Sequence, residues 1–360
     1  MADTPASKDP GTKEAPAAAA KPPAVEIKNV KTFFPPLKGD QPKPDYYSIV
    51  AVPDSDLVFV GGDTGKILAI DMAAEKPTPT AWDAHVSFVT GLVLTDKHLV
   101  SSGSDHQMIW WDRESRERVR TIPQPKWVRH LTLSPDGQVI ASVCDDMVCR
   151  LWEADSGRPI RDLEGHAQFT RFHLRSKLYA AAFSRDGSHL ATVDYAGHAL
   201  VWETATGRRL ADVFAPFFFY QDISEHGYGG IRGVDFSPDG RLIALCGNLC
   251  GDGSQIQRSS ALIQVYDWRS GKLASELRGD NFFYERVRFH HQGKWLLGMG
   301  GAGSGQKLTL IDRDGKSPVA EAKPEAKLAP MFDLWLSENA DVCFTAGRNN
   351  VSKWSISSPS

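Results

Sequence analysis

The chain has 360 residues, and its 41 basic and 44 acidic side chains give a formal net charge of −3. This balance argues against a nucleic-acid-binding protein, which usually carries a basic surplus, and the apolar runs are too short to span a bilayer. The first ten residues lack the apolar stretch of a secretory signal, and the five irregularly spaced cysteines argue against a disulfide framework. We therefore expect a cytoplasmic protein that binds neither nucleic acid nor membrane.

The N-terminal segment differs in composition from the rest of the chain. Residues 1–24 contain no Val, Ile, Leu, Phe, Tyr or Trp, so they cannot bury enough apolar surface to offset the entropy lost on ordering. We predict a disordered tail rich in Ala, Pro and Lys there. Residues 25–45 are predicted to hold a strand at 25–34 and then a proline-rich linker. The folded unit is then residues 46–360.

From residue 46 onward the sequence repeats itself in two registers. The first landmark is a short alternating run that ends in an aromatic or aliphatic residue, usually followed by an acid. Successive copies are 41, 41, 50, 64, 45 and 43 residues apart. The second landmark is a tight turn after an apolar strand, clearest in the Ser-x-Asp-Gly sequences at 134–137, 184–187 and 237–240. Copies of the first landmark end at Asp71, Asp112, Glu153, Glu203, Asp267, Asp312 and Ser355.

The two landmarks alternate seven times without a miss. A period near 40–45 residues with four short strands per unit is typical of propeller blades. The 31 glycines, 22 prolines and 10 tryptophans also suit a chain of many short strands joined by tight turns. The sequence therefore predicts an all-β fold, a seven-bladed β-propeller of four-stranded antiparallel blades.

The last blade lacks one strand in its own part of the sequence. Residues 331–337, 342–347 and 351–356 supply three strands, and the chain ends at residue 360. The strand predicted at 25–34 precedes the four strands of blade one. We expect this N-terminal strand to become the outer strand of blade seven, because closing the ring removes an exposed sheet edge.

At these landmarks the chain resembles the WD-repeat (WD40) family, with degenerate repeats. The clearest copy is LVSSGSDHQMIWWD at 99–112, and the resemblance covers residues 46–357. It implies a structural hydrogen-bonded set of His, Ser or Thr, Asp and Trp within a blade. We expect only blade two to hold the complete set, because Ala196 stands at the expected Asp position of blade four. The residues assigned this structural role are His85, Ser101 or Ser102, Asp105 and Trp111 in blade two, Asp146 and Trp152 in blade three, and His166 and Trp202 in blade four.

Four connections are longer than the repeat requires, at 165–177, 214–230, 248–260 and 300–306. If the strands of a blade are named a to d outward from the axis, the d-to-a and b-to-c connections share one face. All four long connections belong to that face, the long-loop face, around blades four to six. Long loops on one face of a repeat array commonly form its binding surface, and aromatic and Arg residues are enriched at interfaces. The candidate partner-binding residues in these loops and in the next d-to-a connection are Phe169, Arg171, Phe172, Phe217, Phe218, Phe219, Tyr220, Phe282 and Phe283.

Three interpretations of these loops remain open at this point. The loops could pack on one another over the channel mouth, form a partner surface, or enclose a small-molecule pocket. The partner interpretation predicts that Arg171 and either Phe218 or Phe219 lie within the contact. It also predicts that replacing Phe217, Phe218 and Phe219 by serine leaves the fold intact.

Strand a of every blade starts on the long-loop face, beside the axis. Arg129, Arg232 and Glu285 lie at this position, where they could receive a carboxylate or a charge of a partner, or be paired with one another or solvated. The seven residues aligned there are Ser48, Thr90, Arg129, Tyr179, Arg232, Glu285 and Phe332.

The family resemblance implies a non-catalytic scaffold that binds a protein or peptide through its loops, and we expect a monomer without a cofactor, metal or catalytic residue. The alternative is a propeller enzyme, since VFVGGDTGKILAID at 58–71 resembles a blade of the quinone-dependent dehydrogenases; a metal-dependent lactonase-like propeller ranks lower.

The glycine spacing at 298–303 matches a dinucleotide fingerprint. That fingerprint needs a helix after it, whereas a strand is predicted here.

Overall fold

The computed structural model describes residues 25–37, 42–221, 227–250, 260–280, 282–301, 306–324 and 330–357. The tail predicted to be disordered, 1–24, lies outside the described residues. No helix in the described ranges has the length and apolar character that crossing a bilayer requires.

The described residues form seven four-stranded antiparallel sheets, in which the strands follow one another outward in the order a-b-c-d. This confirms the predicted seven-bladed β-propeller. A short 3₁₀ turn at Pro216–Phe218 and a small hairpin of β18 and β19 lie between blades four and five. The strands are β1 (Glu26–Phe33), β2 (Tyr46–Ala51), β3 (Leu57–Gly62), β4 (Lys66–Asp71), β5 (Thr80–Asp83), β6 (Val89–Leu94), β7 (His98–Gly103), β8 (Gln107–Asp112), β9 (Arg118–Pro123), β10 (Val128–Leu133), β11 (Val139–Cys144), β12 (Val148–Glu153), β13 (Pro159–Glu164), β14 (Leu178–Phe183), β15 (His189–Asp194), β16 (His198–Glu203), β17 (Arg209–Phe214), β18 (Phe219–Gln221), β19 (Gly227–Gly229), β20 (Ile231–Phe236), β21 (Leu242–Asn248), β22 (Ser260–Asp267), β23 (Lys272–Asp280), β24 (Tyr284–Phe289), β25 (Trp295–Gly300), β26 (Leu308–Asp312), β27 (Pro318–Ala322), β28 (Met331–Leu336), β29 (Val342–Gly347) and β30 (Asn350–Ser357).

The ring is closed by β1, which is the outer strand of blade seven as predicted. It pairs antiparallel with β30 from Glu26 opposite Ser357 to Phe33 opposite Val351. Ile27 is buried in the same apolar cluster as Trp354, so the strand contributes to the core as well as to the ladder. Because β1 pairs with β30, blade seven has a fourth strand at its outer edge, as the other six blades do.

Blade two contains the hydrogen-bonded set that the sequence predicts. His85 Nδ1 lies 2.9 Å from the Asp105 carboxylate, and His85 Nε2 lies 2.8 Å from Ser101 Oγ. The indole N–H of Trp111 donates to the same Oγ at 2.9 Å, so the serine is Ser101 and not Ser102. Burial disfavours the charged form of Asp105, but the hydrogen bond and charge of His85 outweigh it and lower the pKa of this carboxyl.

Blade four also holds a complete set, which corrects the expectation that only blade two does. His166 Nδ1 lies 2.7 Å from Asp194 Oδ2, and His166 Nε2 lies 2.8 Å from Thr192 Oγ1. Trp202 completes the set by donating its indole N–H to Thr192 at 2.8 Å. The acid comes from the last residue of β15 and not from the following turn, where Ala196 lies, because a side chain at the strand end reaches the same histidine.

Blades three and seven keep part of the set. Trp152 donates to Ser142 at 2.9 Å, and Trp354 donates to Thr345 at 3.0 Å. Asp146 of blade three pairs with the guanidinium of Arg150 at 2.6 Å. These bonds satisfy buried indole donors, so the tryptophans have a structural role even where the histidine is missing.

The connection between blades four and five is part of the core. Phe218, at the end of the 3₁₀ turn, has no exposed surface and packs in a cluster with Ala215 and Leu249. Gly229 has a φ of 103°, and a Cβ there would lie 2.1 Å from the carbonyl oxygen of Phe218. At this close approach the hairpin of β18 and β19 packs directly against the 3₁₀ turn. The full burial of Phe218 therefore argues against the expectation that replacing Phe217, Phe218 and Phe219 by serine leaves the fold intact.

Replacing Phe218 by serine should destabilise the protein by about 3–5 kcal/mol, since truncating a buried phenylalanine loses packing and leaves a cavity. The matched control is Phe172→Ser in the neighbouring loop, because Phe172 is 40% exposed. That change should cost less than about 1 kcal/mol. Urea unfolding measures both values, and equal losses would contradict the assignment of Phe218 to the core.

Deleting residues 1–24 should leave the melting temperature nearly unchanged, because β1 begins at Glu26. Deleting 1–34 should lower it by many degrees or cause aggregation, since β30 would become an unpaired edge. Differential scanning calorimetry of the two truncated chains decides the matter. Ring closure by β1 would be refuted if both melted at the same temperature.

Candidate partner-binding face

Strand a of all seven blades carries a β-bulge at its second residue. A bulge re-aims one side chain and leaves it outside the ladder, here at the channel mouth on the long-loop face. The structure corrects the predicted ring in one place: Tyr47 occupies the position assigned to Ser48. Ser48 lies one residue deeper, and its hydroxyl accepts the N–H of Leu92 in blade two at 2.9 Å. The seven bulged residues are Tyr47, Thr90, Arg129, Tyr179, Arg232, Glu285 and Phe332.

Two guanidinium groups and aromatic rings stack at this mouth. Arg129 lies 4.0 Å from the ring centroid of Trp127 and 5.5 Å from that of Tyr179. Arg232 lies 4.6 Å from the centroid of Tyr179 and 5.8 Å from that of Phe283. Such cation–π contacts hold planar cations in place at little desolvation cost.

The charges at the mouth are partly satisfied within the chain. Arg129 binds both carboxylate oxygens of Asp145, with 2.8 Å between Nη2 and Oδ2. This contact favours the paired interpretation for Arg129 over an open receptor for a carboxylate. Burial raises the pKa of Glu285, although the charges of Arg232 and Arg286 oppose that shift. Arg232 is held by rings at the mouth, and its Nε has no hydrogen-bond partner among the described residues.

Among the described residues of the long-loop face, the loop at 165–177 carries two exposed aromatic side chains. Phe169 is 47% exposed and Phe172 is 40% exposed. Arg175 lies over the ring of Phe169, and Arg171 lies over the ring of Phe172, with 4.7 Å between its Cζ and the centroid. This loop carries three basic residues and no acid. It presents apolar surface and positive charge together.

The other predicted aromatics are less accessible. Phe217, Tyr220 and Phe283 are half-buried. Phe218, Phe219 and Phe282 are each at most 5% exposed. The interpretation that the loops pack on one another therefore holds for part of this cluster, while the loop at 165–177 remains open to solvent.

A small apolar pocket of about 190 Å³ lies where the loop at 165–177 meets blade four. Phe219 is buried as a residue but lines this pocket, in edge contact with Tyr195 at 5.1 Å. Phe214, 45% exposed, stands at the pocket rim beside His198. The hydrogen bond from His198 to Asp212, at 2.8 Å, raises the pKa of this histidine. The residues lining the pocket are Thr170, Arg171, Ala196, His198, Phe214 and Phe219.

This pocket could not be found from the sequence. Ala196 contributes to it by being small, in the b-to-c turn where a larger residue would fill the space. The only sequence signal was the cluster of aromatics, which does not show which rings are buried. In the described part of the chain, no group of three or more His, Cys, Asp or Glu side chains is placed to hold a metal ion.

Comparisons with known proteins agree with this architecture. The model of the "WD domain, G-beta repeat" family matches residues 116–153 and 219–254. Apoptotic protease-activating factor 1 of Rattus norvegicus is 30% identical over 157 residues, 43% of this chain and 12% of that protein. Guanine nucleotide-binding protein subunit beta of Nicotiana tabacum is 26% identical over 162 residues, 43% of this chain and 37% of that protein. The nuclear distribution protein nudF of Emericella nidulans is 32% identical over 118 residues, 32% of this chain and 25% of that protein.

The chain thus spans well under two thirds of the length of these relatives. Seven four-stranded blades, two complete His–Asp–hydroxyl–Trp sets and two stretches that match the repeat model agree with one another. The protein is a seven-bladed β-propeller whose sequence contains WD40-type repeats.

Proposed function

We propose that this protein is a non-catalytic scaffold that binds an acidic segment of a partner protein on the long-loop face, with one apolar side chain of the partner in the pocket of blade four. The observation that carries the proposal is the pocket of about 190 Å³ beside Arg171 and two exposed phenylalanines. WD40 propellers in general mediate protein–protein contacts. One relative is named as a subunit of a guanine nucleotide-binding protein.

The mechanism is recognition by a surface that is already ordered. The loop at 165–177 is flanked by blade three and blade four, and the hairpin beside it is anchored by the buried Phe218. Loops held in this way lose little conformational entropy when a partner binds, so more of the contact energy remains as affinity. The volume of the pocket suits one apolar side chain, which would act as the anchor of the contact.

The charge of the surface defines the partner further. Arg171, Arg175 and Lys177 lie within seven residues, and no carboxylate interrupts them. A partner segment with Asp or Glu next to its apolar anchor would match this charge. Because these basic side chains are solvent-exposed or half-exposed, added salt should weaken the attraction.

The test is a screen of a random 12-residue peptide library against the full chain. The recovered peptides should be acidic and should share one aromatic or large aliphatic residue. Ala196→Leu, which fills the pocket, should weaken the best peptide at least about tenfold by isothermal titration calorimetry, equivalent to about 1.4 kcal/mol.

The matched control is Thr64→Leu. Thr64 precedes a positive-φ glycine in the b-to-c turn of blade one, as Ala196 does in blade four, and it lies on the same face but outside the pocket. This variant should bind the peptide like the wild type. Equal binding by wild type and Ala196→Leu would show that the partner site lies elsewhere, and recovery of peptides without acidic residues would contradict an acidic partner.

A further inference from the structure

The axial channel contains a cavity of about 420 Å³ at the end opposite the long-loop face. Its opening lies among the a-to-b turns, where Arg185 and Glu338 are exposed, and its walls include Val50, Thr132 and Trp335 from strands a of three blades. None of the seven bulged residues at the other mouth lines it. The cavity is therefore separate from the proposed partner site.

Arg288, on β24, lines this cavity without an acidic partner. Its Nη1 donates to the carbonyl of Val287 at 2.9 Å, and no carboxylate of the described residues lies within 4.0 Å of it. Its neighbour Arg286, by contrast, pairs with Asp333 at 2.7 Å. A guanidinium in a partly enclosed space retains unused donors, which is costly unless water or a ligand accepts them.

Two of the three acids that line the cavity, Asp333 and Asp235, already accept hydrogen bonds within the protein. Asp333 also accepts the N–H of Ile49 at 3.0 Å, and Asp235 accepts the N–H of Phe289 at 2.7 Å. Burial raises the pKa of Asp235, although the charge of Arg288 opposes the shift. This carboxyl therefore takes up a proton more readily than an exposed one, which reduces its repulsion of an anion.

The charges of Arg286 and Arg288 also act on a side chain of blade three, across the channel. His130 lies there, and burial, followed by the charges of Arg286 and Arg288, lowers its pKa well below the ordinary value. Its Nδ1 is buried and has no hydrogen-bond partner among the described residues. A neutral imidazole with an unused nitrogen thus faces the same space as the unpaired guanidinium.

We propose that this cavity binds a small organic monoanion, a carboxylate whose charge is held by Arg288 and whose apolar body packs against Trp335 and Val50. The volume lies in the range of small-molecule pockets, and the lining combines charged groups with apolar side chains. A carboxylate matches the planar guanidinium in a two-pronged contact. A dianionic phosphate ester fits less well, because Glu338 lies at the opening of the same cavity and would repel the second charge.

The test uses the full chain and four defined probes in ligand-observed NMR titrations: benzoate, neutral benzamide, cationic benzamidine and dianionic phenyl phosphate. Benzoate should bind saturably with a Kd below about 10 mM, which is near the weakest affinity expected for a ligand of this size. The other three should bind at least about tenfold more weakly. Arg288→Gln should lose at least about tenfold in benzoate affinity.

Two further variants make the result decisive. Thr132→Phe fills the cavity without removing a charge and should also abolish benzoate binding. Arg241→Gln, an exposed arginine on the same face that does not line the cavity, should bind like the wild type. The proposal is overturned if benzoate does not bind saturably, if benzamidine binds as well as benzoate, or if folded Arg288→Gln and Thr132→Phe, checked by thermal melting, retain wild-type affinity.

Discussion

The pairing of β1 with β30 is the contact on which the ring depends. Each blade buries its two faces against its neighbours, so a propeller is stable only when the last blade meets the first in the same geometry as the others. Here the meeting point joins segments more than 300 residues apart, through the ladder of β1 and β30 and through the ion pair between Arg348 and Asp45. Bringing them together carries a loop-closure cost in entropy, and the ladder and the burial of Ile27 offset it.

Closure also determines what the two ends of the channel present. Strand a is the inner edge of every sheet, and some of its N–H groups face the channel without a partner in their own blade. Side chains of the preceding blade satisfy several of them. Asp333 of blade seven bonds to blade one, Ser48 of blade one to blade two, and Asp235 of blade five to blade six. These bonds fix the spacing of the blades around the axis.

The same arrangement separates two surfaces. At one mouth the bulged residues stack as alternating arginines and rings, next to the exposed loop at 165–177 and its apolar pocket. At the other end the channel remains open and contains the unpaired Arg288. A protein partner and a small anion would therefore bind at opposite ends of one rigid body, without competing for the same residues.

The features that repeat along the sequence could be predicted, because each copy of the repeat separately indicates the same blade structure. The number of blades, the strand that closes the ring, and the roles of Trp111 and Trp202 all follow from the spacing of turns and tryptophans. Features that depend on where one side chain reaches could not be predicted. Asp194 replaces a turn residue two positions later in sequence, which only the geometry of the strand end reveals.

Burial of the loop aromatics was the least predictable part of the candidate site. Consecutive phenylalanines look alike in sequence, yet Phe218 is fully buried while Phe217 remains half-buried, because a single 3₁₀ turn directs one of them inward. The one-residue difference between Ser48 and Tyr47 has a similar origin. A bulge needs no special residue type, so nothing in the sequence marks its position.

Hydrogen–deuterium exchange of the segment 350–357 tests the central claim, ring closure by β1, most directly. With β1 paired on one side and β29 on the other, the amides of β30 should exchange as slowly as those of β12, the equivalent inner strand of blade three. Exchange as fast as that of the outer strands β9 and β13 would mean that β30 is an edge in solution, and the account of the closed ring would be wrong.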